Sequence, residues 1–359
     1  MAPIDDVDDM LELRKRCARS VSGHGLVTAA QHLRAIPEDT ELDVYGEGGV
    51  VPELETEVAG ILGKPSAVFL PSGTMAQQAV LRVHADRRNR RTVVFHPECH
   101  VDTHEGRGYE RLHGLVGRPI GESTRLLSVA DLACVAEPVA ALLIELPQRD
   151  LGGQQPGFDE LRALVDAARD RGAAVHLDGA RLWESAAGYG VAPAEIAALF
   201  DSVYVSFYKG LGGLSGCALA GETDVVAEVA EWRGRHGGTL FAMWPYAAAA
   251  LTGLRQRLPR MPLYLEHARA IAAALADLKG VTVLPDPPQT PMMHLLLAAS
   301  EDAIVAAART LAVEQSVWTW RKTSATGDPG VQRVELSVGD ATCAMTANEI
   351  RDAVAFLVA

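Results

Sequence analysis

Val175-His176-Leu177-Asp178-Gly179-Ala180-Arg181 and, further along, Ser206-Phe207-Tyr208-Lys209-Gly210-Leu211-Gly212-Gly213 are the stretches on which the fold turns. Each is a short buried-strand pattern that runs into glycine. The first places a carboxylate, Asp178, just past the C-terminal end of a strand, where open α/β sheets collect their ligands. The second places an amine, Lys209, at the end of another strand, with glycines leaving space beside it. Taking an ammonium out of water lowers its pKa and makes it a better nucleophile. Each stretch also has a plain structural reading: Lys209 snorkelling to solvent, Asp178 capping a helix.

Around these stretches, short apolar runs alternate with amphipathic helices from about residue 50 to 221. Strands are expected at 66–70, 93–95, 139–146, 173–177, 203–207 and 217–220. Leu54, Val58, Ile61 and Leu62 repeat at helical spacing and stop at Gly63; Leu161, Leu164, Val165 and Ala168 mark a second helix that Gly172 ends. Strands interleaved with helices predict a mostly parallel central sheet covered on both faces, an α/β fold. From about residue 248 the pattern changes to helical Ala/Leu/Arg-rich sequence, a proline-rich stretch at 280–291, strands at 294–298 and 332–338 and helices at 301–313 and 348–358, with a loop at 325–330. The expected organisation is an N-terminal segment, 1–40, packing with the small domain or with a partner subunit; a large domain, 41–247; and a smaller α+β domain, 248–359.

Two further stretches carry chemistry. In Phe69-Leu70-Pro71-Ser72-Gly73-Thr74-Met75 a strand runs into a turn that opens a helix. Backbone N–H groups, the helix dipole and two hydroxyls converge there, a setting suited to a phosphate, although the same pattern also describes an ordinary capped helix start. In His96-Pro97-Glu98-Cys99-His100, His100 follows a strand and could lie flat over a bound ring, or simply be a polar surface residue. A carboxylate at Asp178 can pair with a protonated ring nitrogen and keep that ring electron-accepting. Arg181 can grip a carboxylate with both arms of its guanidinium. All these groups stand at the C-terminal ends of predicted strands, so one cleft can collect them.

Composition narrows the classes. With 46 acidic against 33 basic side chains the net charge is -13, which argues against non-specific binding to nucleic acid or anionic membrane. The five cysteines are scattered and form no CxxC pair, so neither a disulfide framework nor a zinc site is expected, and no metal. The acidic start has no basic or apolar leader pattern, and no apolar run approaches the roughly 20 residues of a membrane span. A cytoplasmic protein is expected.

The order of these motifs resembles the pyridoxal-phosphate-dependent aspartate aminotransferase superfamily, fold type I. Within it the chain is similar to the low-specificity threonine aldolases of the β-eliminating lyase group. The likeness rests on Asp43-Val44-Tyr45-Gly46-Glu47, Pro71-Ser72-Gly73-Thr74-Met75, His176-Leu177-Asp178-Gly179-Ala180-Arg181-Leu182 and Lys209-Gly210-Leu211-Gly212. The resemblance implies that Lys209 carries pyridoxal 5'-phosphate as a Schiff base, Asp178 pairs with the pyridine nitrogen and His100 stacks on the ring. It implies further that Ser72, Gly73 and Thr74 hold the phosphate, with Ser206 beside the cofactor. Arg181 and Arg333 would bind the carboxylate of a small amino-acid substrate. A homodimer or homotetramer with shared sites is implied, Tyr45 lying where chains cross over. The implied reaction is aldol cleavage of a β-hydroxy-α-amino acid to glycine and an aldehyde.

Departures from the family pattern bear on the substrate's β-carbon. The family's Glu-Asn-Thr-His-Asn is here Glu145-Leu146-Pro147-Gln148-Arg149, so a histidine is replaced by Gln148, which can hydrogen-bond a hydroxyl but cannot take its proton. Tyr208 replaces a serine before the lysine, and Leu240 stands where the family has an arginine that reaches a phosphate across the dimer. β-Elimination to pyruvate and ammonia through the same Lys209 and Asp178 is therefore an alternative, and a non-catalytic protein on this fold is another.

Overall fold

The structure, a computed structural model, describes residues 4–359; Met1 to Pro3 lie outside them. It resolves into two compact units, one of residues 29–150 and 154–259, the other of residues up to 28 with 151–153 and 260–359.

The larger unit is built on a seven-stranded sheet of β1 (Ser66–Leu70), β2 (Thr92–Phe95), β3 (Val116–Pro119), β4 (Val139–Glu145), β5 (Ala174–Gly179), β6 (Ser202–Ser206) and β7 (Cys217–Gly221). Their spatial order is β1-β7-β6-β5-β4-β2-β3. Strands β3, β2, β4, β5 and β6 run parallel. Strand β7 is antiparallel to both β6 and β1, so β1 points the same way as the parallel set. Every residue of β5, β6 and β7 is buried, as expected of strands covered on both faces. The edge strand β3, Val-Gly-Arg-Pro, has no apolar run and is largely exposed, which is why the sequence did not announce it.

Helices α1 (Val50–Leu62), α2 (Gly73–Arg88), α3 (Phe158–Asp170), α4 (Leu182–Tyr189), α5 (Thr223–Arg235) and α6 (Trp244–Arg257) surround this sheet. One apolar cluster joins Val68, Leu70, Tyr204 and Leu219 of the sheet to Ala76, Val80 and Val83 of α2 and Val229 of α5. Helix α1 stops where Gly63 turns left-handed at φ 60, a backbone setting that glycine enters without a Cβ clash. Helix α6 packs its alanine-rich face against α1 and so belongs to this unit, which extends to Pro259 rather than ending at residue 247. Buried Asp43 anchors it, accepting the Met243 and Trp244 backbone N–H groups at 2.8 and 2.7 Å with one oxygen and that of Gly46 at 2.9 Å with the other.

The smaller unit contains a four-stranded antiparallel sheet of β8 (Val281–Leu284), β9 (Met292–Leu297), β10 (Ser324–Ala325) and β11 (Gln332–Ser337), in the order β10-β11-β9-β8. Helices α7 (Met261–Leu275), α8 (Glu301–Gln315) and α9 (Ala347–Leu357) accompany it. The N-terminal segment divides: Arg19–Ser20 pairs in parallel with Val317–Trp318 of this unit, whereas residues from 29 belong to the larger one. No helix among the described residues is long and apolar enough to cross a membrane.

Candidate active site

Strands β1, β2, β4, β5 and β6 open their C-terminal ends on one edge of the sheet. His100, Glu145, Arg149, Asp178, Arg181 and Lys209 line a single cleft there.

Asp178 is buried near the end of β5, and its Oδ1 accepts the Ala180 backbone N–H at 3.1 Å. It therefore shapes the turn after its own strand; the N-cap of α4 is Arg181. Burial pushes the Asp178 carboxyl up from its ordinary value, while the Lys209 ammonium pulls it back toward the ionised form. Lys209 shows the complementary effect. Burial lowers its pKa and the Arg181 guanidinium lowers it further, against the opposing pull of Asp178, Glu145 and Glu184. Its amine is thus a lysine whose proton is loosely held, facing the cleft rather than bulk solvent. The ring of Tyr208, half exposed, lies 6.0 Å from Lys209 Nζ.

His100 opens a short helix after β2. Its backbone N–H donates to Glu145 Oε2 at 3.2 Å, and its ring Nδ1 lies 3.0 Å from Glu105 Oε1. Glu145 is the cross-strand partner of Asp178, so a half-buried and a buried carboxyl stand side by side on neighbouring strands. Burial and the Asp178 charge raise Glu145 to about 7, although backbone N–H groups of Arg149 and His100 favour its ionised form. Gln148 is buried and donates from Nε2 to the Glu98 carbonyl at 3.2 Å, which ties its turn to the loop before His100. Of that segment, Glu145 and Arg149 are among the residues that face the cleft.

At the start of α2, Ser72 is the N-cap residue but makes no side-chain capping bond, so its hydroxyl is not consumed by the helix. A Cβ on Gly73 would come within 2.2 Å of the Tyr204 hydroxyl on β6; only glycine allows this close approach of turn and sheet. Thr74 follows in the first turn. Ser206 closes β6 in a buried position, its carbonyl accepting the Trp183 indole N–H at 3.1 Å. Arg233 is spent internally, donating to the Phe69 carbonyl at 2.8 Å beside Glu55. Tyr45 takes a positive φ of 54, and its exposed ring packs edge-on against Phe241 at 5.4 Å. Arg333 lies on β11 of the smaller unit.

Sequence reasoning missed Glu105, Glu145, Arg149 and Glu184 as parts of this neighbourhood. Glu184 is buried on α4, and its Oε1 lies 2.2 Å from where a Cβ on Gly210 would be. A signal existed for one of them: Glu145 ends an unbroken apolar run at a strand's C-terminal end.

A mostly parallel seven-stranded sheet with a carboxylate and an amine at the ends of adjacent strands β5 and β6 is the architecture of the fold type I pyridoxal-phosphate-dependent enzymes. The family model described as beta-eliminating lyase matches residues 22–300, and the chain belongs to that family. Low-specificity L-threonine aldolase 1 of Arabidopsis thaliana is 27% identical over 252 residues, 67% of this chain and 70% of the relative. Among solved structures, a candidate L-allo-threonine aldolase of Listeria monocytogenes is 38% identical, covers 98% of both chains and superposes with a TM-score of 0.91. A candidate aromatic amino acid beta-eliminating lyase/threonine aldolase of Exiguobacterium is 36% identical over 97% of this chain and 98% of its own, also with a TM-score of 0.91.

Proposed function

We propose that the chain is a pyridoxal-phosphate-dependent carbon–carbon lyase that cleaves a β-hydroxy-α-amino acid of the threonine type to glycine and an aldehyde. The observation that carries this reading is the meeting of Lys209, Asp178, His100 and Arg181 in one cleft, in a chain whose relatives bear threonine aldolase names.

The residues fit the cofactor. Lys209 offers a desolvated amine, Asp178 a buried carboxylate at the strand edge, and Ser72 a hydroxyl left free by its helix. Lys209 would hold the cofactor covalently, Asp178 its ring nitrogen and His100 its ring face. Ser72, Gly73, Thr74 and the first-turn N–H groups of α2 would hold its phosphate, with Ser206 beside it. When bound, pyridoxal phosphate supplies an electron sink for a bond breaking at the substrate's Cα.

The chain's own residues do the rest. Arg181 presents a guanidinium to the substrate carboxylate, and Arg333 is assigned the same task by family likeness; anchoring that group decides which Cα bond is aligned for cleavage. His100 accepts the β-hydroxyl proton. Gln148, whose amide nitrogen is engaged with Glu98, is left to orient rather than to take protons. A homodimer or homotetramer is also proposed, supported by the exposed apolar patch of Leu42, Val44, Tyr45 and Phe241; sedimentation at monomer mass would overturn it.

The test is a panel of threonine, allo-threonine and phenylserine given to the cofactor-loaded protein, with products identified. Glycine is the expected product; pyruvate instead would decide for β-elimination, and neither would sink both readings. Lys209→Ala is expected to abolish both product release and the yellow, borohydride-reducible adduct.

A further inference from the structure

Five ionisable groups face the His100 ring from the elements packed around it: Glu105 and His104 from its own loop, Glu145 from β4, Asp178 from β5 and Lys209 from the segment after β6. Glu105 differs from the others in how it is held. Its side chain is only 3% exposed, Oε1 lies 3.0 Å from His100 Nδ1, and Oε2 is buried without a hydrogen-bond partner. Burying a carboxylate is costly unless it is paired. Nearby Asp102 shows what an ordinary structural carboxylate does in this loop: it is more exposed and engages the Tyr109 hydroxyl and Arg107. Glu105 is instead withdrawn from solvent, and the His100 imidazole is the hydrogen-bonding group it meets.

An ionised carboxylate only accepts hydrogen bonds. At 3.0 Å from Glu105, Nδ1 must therefore carry the proton, which leaves Nε2 as the nitrogen with a free lone pair. We propose that Glu105 is a positioning residue: it holds His100 by Nδ1, fixing the ring's orientation and tautomer so that Nε2 is the nitrogen that exchanges protons in the cleft. The proton-exchange part rests on the function proposed above; the pairing itself does not. The Glu105 hydrogen bond also favours the imidazolium, and it outweighs the effect of burial, with Asp178 assisting and Lys209 opposing. His100 therefore titrates above its ordinary range.

The experiment follows the His100 imidazole by NMR in the cofactor-loaded protein, selectively labelled with nitrogen-15, across a pH titration. In the wild type the neutral ring should be protonated on Nδ1. Glu105→Gln keeps an acceptor but removes the charge; it should lower the His100 pKa by about one unit or more. The acidic limb of kcat/KM should move to lower pH with it, with a fall of about tenfold or more at the optimum. Glu105→Asp should restore part of the pKa shift. A wild-type ring protonated on Nε2, or a His100 pKa unmoved in a folded Glu105→Gln variant, would overturn the proposal. If Glu105→Gln does not fold, the wild-type tautomer alone decides. A wild type with the expected tautomer and pKa shift but no glycine or pyruvate would refute the proposed function and leave the pairing standing. Glycine release with no pKa shift would do the reverse.

Discussion

At the scale of single residues, burial sets the chemistry. Asp178 and Lys209 are each driven toward neutrality by desolvation and back toward charge by one another, so each is poised rather than fixed. Asp178→Asn removes the charge and keeps the shape. It is expected to lower kcat by about 100-fold or more while leaving the cofactor bound, checked by turnover alongside the cofactor's absorbance. Unchanged turnover would remove Asp178 from the mechanism. That Lys209, Asp178 and Arg181 share a cleft was legible because each is a chemically distinctive group at or just beyond a strand end. Glu105 was not, because a loop carboxylate acquires its role only when folding buries it, and no local spacing records burial; Glu145 left a signal, the apolar run it ends, that went unread.

At the scale of elements, the contact between the Ser72–Thr74 turn and β6 is a tight joint beside the cleft. Gly73→Ala would drive a methyl to 2.2 Å from the Tyr204 hydroxyl. Overpacking of this kind costs about 1–3 kcal/mol and should displace the start of α2, weakening cofactor binding. Adding Tyr204→Phe should recover part of that affinity; a Gly73→Ala protein that binds cofactor normally would show that the joint is slack. The strands were legible to within a residue or two wherever they form continuous apolar runs, as at β1 and β4. The reversal of β7 was not, since an antiparallel strand buried on both faces reads like a parallel one. Nor was the allegiance of α6, which depends on Asp43 and on packing against α1, both remote in sequence.

At the scale of the whole molecule, pH is the variable that reads the interior. His84 and His176 are fully buried, share the Ser202 hydroxyl at 2.7 and 2.8 Å, and are lowered by burial to about 3. In the unfolded chain they protonate below about 6.5. Between those values unfolding takes up protons, so their contribution is complete above pH 6.5 and is lost as pH falls. Glu145 acts in the opposite sense, because its raised value favours the fold at lower pH. Comparing variants isolates one group: His84→Gln should flatten the pH dependence of unfolding free energy by about 1.4 kcal/mol per pH unit between pH 4 and 6. Urea unfolding at several pH values would measure it, and parallel curves for the two proteins would show that His84 is not held neutral.

The arrangement around β4, β5 and β6 separates two kinds of labour. Asp178 is fixed by β5 and Lys209 by the segment after β6; in the 146–150 turn Leu146, Pro147 and Gln148 are buried, with the Leu146 backbone N–H donating to the Asp178 carbonyl at 2.9 Å, whereas Arg149 and Asp150 are half-buried. For an engineer this makes the molecule modular. Arg149, which faces the cleft, and Asp150 can be varied while the buried Leu146, Pro147 and Gln148 are kept, and a library confined to those two positions would sample substrate preference on a scaffold whose reactive core stays constant.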